Sequence, residues 1–231
     1  MMVLKIRRLG ISVILGLALT YGIISLIRAG EPTSIAGRVI VLDPGHGGRD
    51  PGASDGKTYF EKEVNLGIAR VVRDHLERTG ARVLLTRDAD VDYYSGPLPE
   101  NGPAHKRRED LNVRIRMAEN ARADWFISIH ANAHTDTSKR GPVTFYYYNS
   151  RAGKKLAELI QRELNAITEA EYRREPTPNS EFYVLWATSM PALIIEVGFI
   201  TNPEEYRMLQ DPAYRELVAR AITRGLIDYY R

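Results

Sequence analysis

The chain has 231 residues, no cysteine and a formal net charge of +3; this suits one domain with a real core plus an attachment and excludes disulfides and thiolate metal ligands. Residues 1–30 hold four basic and no acidic residues, so the remainder carries a net charge of −1 and the basic pI belongs to the N-terminal segment. A domain near neutrality lacks the basic face that nucleic acid requires, and no nucleic-acid partner is expected.

Lys5, Arg7 and Arg8 precede an uncharged, mostly apolar run from Leu9 to Ile27, which as a helix at about 1.5 Å per residue reaches roughly 28 Å, close to the hydrocarbon thickness of a bilayer. Residues 1–30 are therefore expected to form a membrane-targeting helix, with the basic end inside and the rest exported. The exit IRAGEP has no small-x-small pair at Ala29, so an uncleaved signal-anchor is expected over a cleaved signal peptide. A Pro/Gly/Ser-containing linker, 31–37, leads to a domain spanning 38–231.

That domain opens with VIVLDPGHGG, a buried strand breaking into a glycine-rich turn that carries His46. Thr58 begins T-x-x-E before Val64, Ile68, Val71, Val72 and Leu76, which predicts a capped amphipathic helix ending at Gly80. RVLLT at 82–86 is a second strand, and the β-loop-α-β unit implies a parallel pair. Arg87 to Asp110 has no period and reads as a long loop, in which Lys106, Arg107 and Arg108 meet Glu109 and Asp110 as a solvated mixed-charge run. A helix over 111–122, strands at 125–129 and 143–148, a helix over 154–167, polar loop over 169–181, a short strand at 182–186 and a buried strand at 192–195 follow. Two helices starting at Pro203 and Pro212 close the chain. This alternation predicts a single α/β domain with a mostly parallel, twisted sheet and helices on both faces.

The polar residues at strand ends carry the chemistry. His46 follows the first strand, His130 follows WFISI and Glu196 follows LII; in open α/β sheets such ends converge on one ligand-binding edge. Glu61 lies just beyond the His46 loop. Two imidazoles and a carboxylate are a common zinc set for hydrolysis, and a further carboxylate serves as general base. Taken alone, Glu61 reads as the capping-box glutamate of Thr58 ahead of a ligand, and Glu63 as surface. His75 and His105 read as surface, His134 as solvated or as a support behind the ligands, and Asp43 and Asn132 as loop-bracing groups. Glu196, flanked by apolar residues, is costly to bury unless paired or beside a metal.

VLDPGHGGRDPGA, EKEVNL, ADWFISIHANA and MPALIIEVGFITNPEE resemble, in order, the signatures of the zinc-dependent N-acetylmuramoyl-L-alanine amidases of the amidase-3 type, over roughly residues 38–230. The resemblance implies one Zn2+ ion held by His46, Glu61 and His130, with Glu196 as catalytic carboxylate. It selects Glu61 over Glu63 because the family's ligand precedes the lysine. It implies cleavage of the amide between the lactyl group of N-acetylmuramic acid and L-alanine of peptidoglycan. A long, charged segment between TRD (86–88) and DLxxR (110–114), with the short anchor and no wall-binding module, is similar to the germination-specific amidases that begin muramic δ-lactam formation in spore cortex. A vegetative wall amidase and a zinc peptidase of related fold are the alternatives. Trp186 stands after FYVL where many relatives carry a polar or basic residue. The expected location is extracytoplasmic, with peptidoglycan as the partner and the membrane reached through the N-terminal segment.

Overall fold

Among the described residues, apolar runs form the strands β1 (Val39–Pro44), β2 (Arg82–Leu85), β3 (Trp125–Asn132), β4 (Val143–Tyr147) and β6 (Ala192–Phe199), and the short polar β5 (Thr177–Asn179) joins them. The computed structural model describes residues 35–94 and 104–231. The membrane-targeting helix expected at 1–30 and the first part of the linker lie outside the described residues, as does part of the 87–110 segment. Among the described residues no helix is long and apolar enough to cross a membrane.

The strands make one sheet in the order β2-β1-β3-β6-β4-β5. β2, β1, β3 and β6 run parallel; β4 is antiparallel to β6, and β5 is parallel to β4. Alternate side chains face opposite layers. Ile40, Leu42, Ile127, Ile129 and Ile195 pack against α1 (Glu61–Arg78), α3 (Arg151–Ala166) and α6 (Pro212–Tyr229). Val41, Phe126 and Ile194 pack against α2 (Ala104–Asn120) and α4 (Tyr183–Ala187). The expected α/β domain with a mostly parallel sheet covered on both faces is thus present. Ile35, in the stretch read as linker, is fully buried in the larger core.

Five local expectations change. The capping box of Thr58 and Glu61 does not form: Phe60 is the N-cap of α1 without a side-chain bond, and the Thr58 hydroxyl donates instead to Asp55. The carbonyls of Ala53 and Pro51 accept the first helical N–H groups of Glu61 and Lys62. The loop expected through Asp110 is helical from Ala104, and the helix expected at 111–122 is its continuation, ending at Asn120. The apolar run at 182–186 is helix rather than strand; one short turn, α4, buries Val184 and Leu185. A strand forms instead within the polar 169–181 stretch, where β5 adds to the edge of β4 and needs no apolar face. β3 and β6 also run past their expected ends, so His130 and Glu196 lie within strands.

α5 (Pro203–Gln210) and α6 begin at their prolines as expected, capped by Asn202 and Asp211. Gly225 of α6 meets α3 so closely that a Cβ would lie 2.6 Å from Ile160 Cγ1 and 2.8 Å from Ile160 Cα. Gly225→Ala is expected to cost about 1–3 kcal/mol by forcing the two helices apart. Urea unfolding should show a lower midpoint at unchanged slope; wild-type stability would mean the helices have room to spare.

Candidate functional site

Parallel register puts Asp43 beside Ser128 on β1 and β3, and His130 beside Glu196 on β3 and β6. By alternation these four side chains share the face covered by α2 and α4. Those helices cover the strands' middles and leave their carboxyl ends open. A cleft of about 370 Å³ lies there, with His46, Glu61, His130 and Glu196 in its lining and Tyr94 and Tyr183 on its walls.

His46 follows β1 with φ of 64°, a left-handed conformation uncommon outside glycine. Its Nε2 lies 3.1 Å from Glu61 Oε2, and His130 Nδ1 lies 2.9 Å from Glu61 Oε1. The two rings meet edge to face, 4.9 Å between centroids. Glu61 opens α1 and is fixed by the backbone N–H groups of Ala53 (2.8 Å) and Ala131 (3.2 Å) and by the side-chain amide of Asn65 (3.1 Å). His46 Nδ1 is 2.8 Å from Asp50 Oδ2, which orients the ring and leaves Nε2 facing Glu61.

One ligand atom from each of His46, Glu61 and His130 lies within 4.8 Å of the others, a set that can hold a metal ion. The electrostatics favour a cation at this centre. Burial opposes charge on Glu61, but the imidazoles of His130 and His46 outweigh it and hold the carboxyl well below its usual range. Burial likewise opposes a proton on His46, yet Asp50 and Glu61 raise its pKa to about 10. Gly45 makes room for the cluster: any Cβ there would fall on the His130 ring.

Glu196 stands beside the trio, with its Oε2 buried and without a hydrogen-bond partner among the described residues. Burial raises its pKa to about 7, with Glu61 adding to the rise and His130 and His46 opposing it. A carboxyl close to neutrality can both take and return a proton.

The structure therefore brings together all four residues singled out from sequence. Glu63 is exposed, and Asp43 is a buried brace accepting from Thr86, Ser128 and Arg114. Asn132 accepts from the N–H of Ala133, and His134 Nδ1 accepts from the N–H of Asp136. His75 is not a bare surface group, because its Nε2 lies 2.6 Å from Glu216 Oε2 and links α1 to α6; the side chain of His105 lies outside the described residues. Sequence reasoning missed Asp50, Asn65, Arg87 and Arg114. Asn65 follows Glu61, and Arg114 follows Asp110, by one helical turn, which is a readable signal; Arg87 acts on backbone carbonyls, which leave no trace in residue pattern.

The family described as N-acetylmuramoyl-L-alanine amidase matches residues 40–228. The germination-specific N-acetylmuramoyl-L-alanine amidase of Bacillus subtilis is 37% identical over 196 residues, covering 85% of this chain and 81% of that protein. The amidase LytC of the same organism is 37% identical over 199 residues, covering 85% of this chain and 36% of that protein. In three dimensions the chain is similar to the CwlD amidase from Clostridioides difficile, whose structure was solved in complex with the GerS lipoprotein. The TM-score is 0.75 at 36% identity, covering 83% of this chain and 98% of that one.

Gly45→Ala places a methyl group where the His130 ring lies while leaving strand pairing intact. After equilibration with zinc and desalting, the variant should fold but retain well under one ion per chain by elemental analysis. Full metal content would show that His130 is free to move aside.

Proposed function

The chain belongs to the N-acetylmuramoyl-L-alanine amidase family, enzymes acting on peptidoglycan, and from that premise we propose that it is a zinc hydrolase of the muramoyl–L-alanine amide. In this reading His46, Glu61 and His130 hold the ion and Glu196 moves the proton. The observation that carries it is one buried carboxylate gripped by two imidazoles, with a second, unengaged carboxylate oxygen beside them. The donor set suits zinc: nitrogen and oxygen ligands, three in number, leaving a place for substrate or water.

When bound, zinc supplies Lewis acidity toward the scissile carbonyl and the attacking water. Asp50 holds the His46 ring so that Nε2 faces the ion position. Glu196 takes the proton of the water as its oxygen adds to the lactyl carbonyl carbon. It then returns that proton to the alanine nitrogen as the C–N bond breaks, so that an amine departs rather than an amide anion. The products are a free lactyl carboxylate and a stem peptide with a free N-terminus.

We further place the enzyme in spore cortex maturation and germination, on its likeness to the germination-specific enzyme over four fifths of that protein. The equal identity to LytC favours a second reading, action on vegetative wall. Residues 1–30 would anchor the 38–231 catalytic domain outside the cytoplasm, where peptidoglycan lies. Digestion of purified cortex and of vegetative peptidoglycan, with and without chelator, tests these readings by product mass. Chelator-sensitive release of intact stem peptides from cortex supports the proposal. Release from vegetative wall alone selects the second reading, and chelator-insensitive cleavage overturns zinc.

Glu196→Gln is expected to keep one zinc per chain and lower kcat by roughly 10²–10⁴-fold; activity within tenfold of wild type would remove Glu196 from the reaction. Ionised Glu196 is the working base, so activity falls as pH drops through its pKa. A dication pulls that pKa down from the burial-raised value, so the acid limb of kcat/KM should lie between 4.5 and about 7 and vanish in Glu196→Gln.

A further inference from the structure

Arg87 follows β2 and is 2% exposed, yet among the described residues its hydrogen bonds go only to backbone carbonyls. Nε donates to Pro44 at 2.9 Å and Nη1 to Ala89 at 3.2 Å. Nη2 donates to Gly45 at 2.9 Å and to Lys62 at 2.8 Å. Gly45 immediately precedes His46, and Lys62 immediately follows Glu61. One guanidinium nitrogen thus spans the two segments that carry neighbouring members of the trio. Gly47 packs against it: a Cβ there would run into the Val91 carbonyl and lie 2.8 Å from Arg87 Cδ and Nε.

Arg114 differs in kind. It is matched by Asp43 and Asp110 before it reaches the carbonyls of Pro44 and His46. Arg87 donates to no carboxylate, and a buried cation with carbonyl partners alone is an expensive way to gain stability. Its planar fork is suited to holding several carbonyls at fixed separation, which an ammonium cannot do. Asn65 repeats the span from the other side, donating to Gly45 O at 3.2 Å and Glu61 Oε1 at 3.1 Å.

We infer that Arg87 is a positioning residue for the metal site: it sets the distance between His46 and Glu61 by tying the carbonyls of Gly45 and Lys62 to one guanidinium. The inference rests on the zinc reading above and deepens it. Groups that orient metal ligands typically change affinity by roughly 10- to 100-fold when removed.

The test uses the full chain with Arg87→Met and Arg87→Lys, measuring zinc affinity by chelator competition and the visible spectrum of the cobalt(II)-substituted protein, alongside melting of the metal-free protein. Zinc affinity is expected to fall about 10- to 100-fold in Arg87→Met, with a displaced cobalt spectrum and partial recovery in Arg87→Lys. Variants that are folded, bind zinc as tightly as wild type and give the wild-type cobalt spectrum overturn the inference. If Arg87→Met does not fold, Arg87→Lys decides by the same two readouts. Wild-type protein that binds no zinc, or a His46→Ala variant that binds it fully, defeats the zinc reading itself and is distinguished from failure of the Arg87 role.

Discussion

Parallel alignment of β1, β3 and β6 is the constraint on which the site depends. Because Leu42, Ile127 and Asp43, Ser128 pair in step, and Ile195 and Glu196 pair with Ile129 and His130, the three strands end at one level. On the cleft face Val41, Phe126 and Ile194 are apolar and buried, Asp43 and Ser128 above them are buried polar groups bonded to each other, and the same alternation then delivers His130 and Glu196 to the cleft. A shift of one residue in β6 would carry Glu196 to the opposite face and set Ile195 or Val197 in the cleft. The apolar parts of the strands thereby determine where the chemistry stands.

A second layer of order lies under the first. Asp43 collects hydrogen bonds from Thr86, Ser128 and Arg114, and Asp110 from Arg114 and the N–H of Tyr93. Burial opposes ionisation of Asp43, but Arg114 and the two hydroxyls outweigh it and keep the carboxyl below its ordinary range. The network ends on the carbonyls of Pro44 and His46, so the left-handed backbone of His46 is held from beneath. Strained conformations persist where surroundings over-determine them.

Much of this was legible in the residues. Branched runs marked β1, β3 and β6, and the unlike residues closing those runs marked His46, His130 and Glu196. Glu61 was ambiguous between cap and ligand, since a glutamate three places after a threonine satisfies both patterns. The structure shows Thr58 engaged with Asp55, which leaves Glu61 without that role. The 182–186 run misled because five apolar residues fit a strand or a helical turn alike. Helix before Leu111 was hidden by its charge: Ala104 to Asp110 offers no apolar stripe, and Asp110 and Arg114 are buried by pairing with each other. Arg87 escaped because its partners are backbone carbonyls, and the contact of Asn65 with the Gly45 carbonyl is hidden for the same reason, though its spacing from Glu61 is not.

The floor and the walls of the cleft come from different parts of the chain. The floor is made by strand ends; the walls are made by Tyr94, by α2 and by α4 with its N-cap Phe182. Trp186, 46% exposed, meets Tyr183 edge to face with ring centres 4.9 Å apart, and touches the cleft only through that neighbour. Inheritance can therefore act on the two separately. A change of side chain on α4 would reshape the wall while the strand ends that make the floor stay in place.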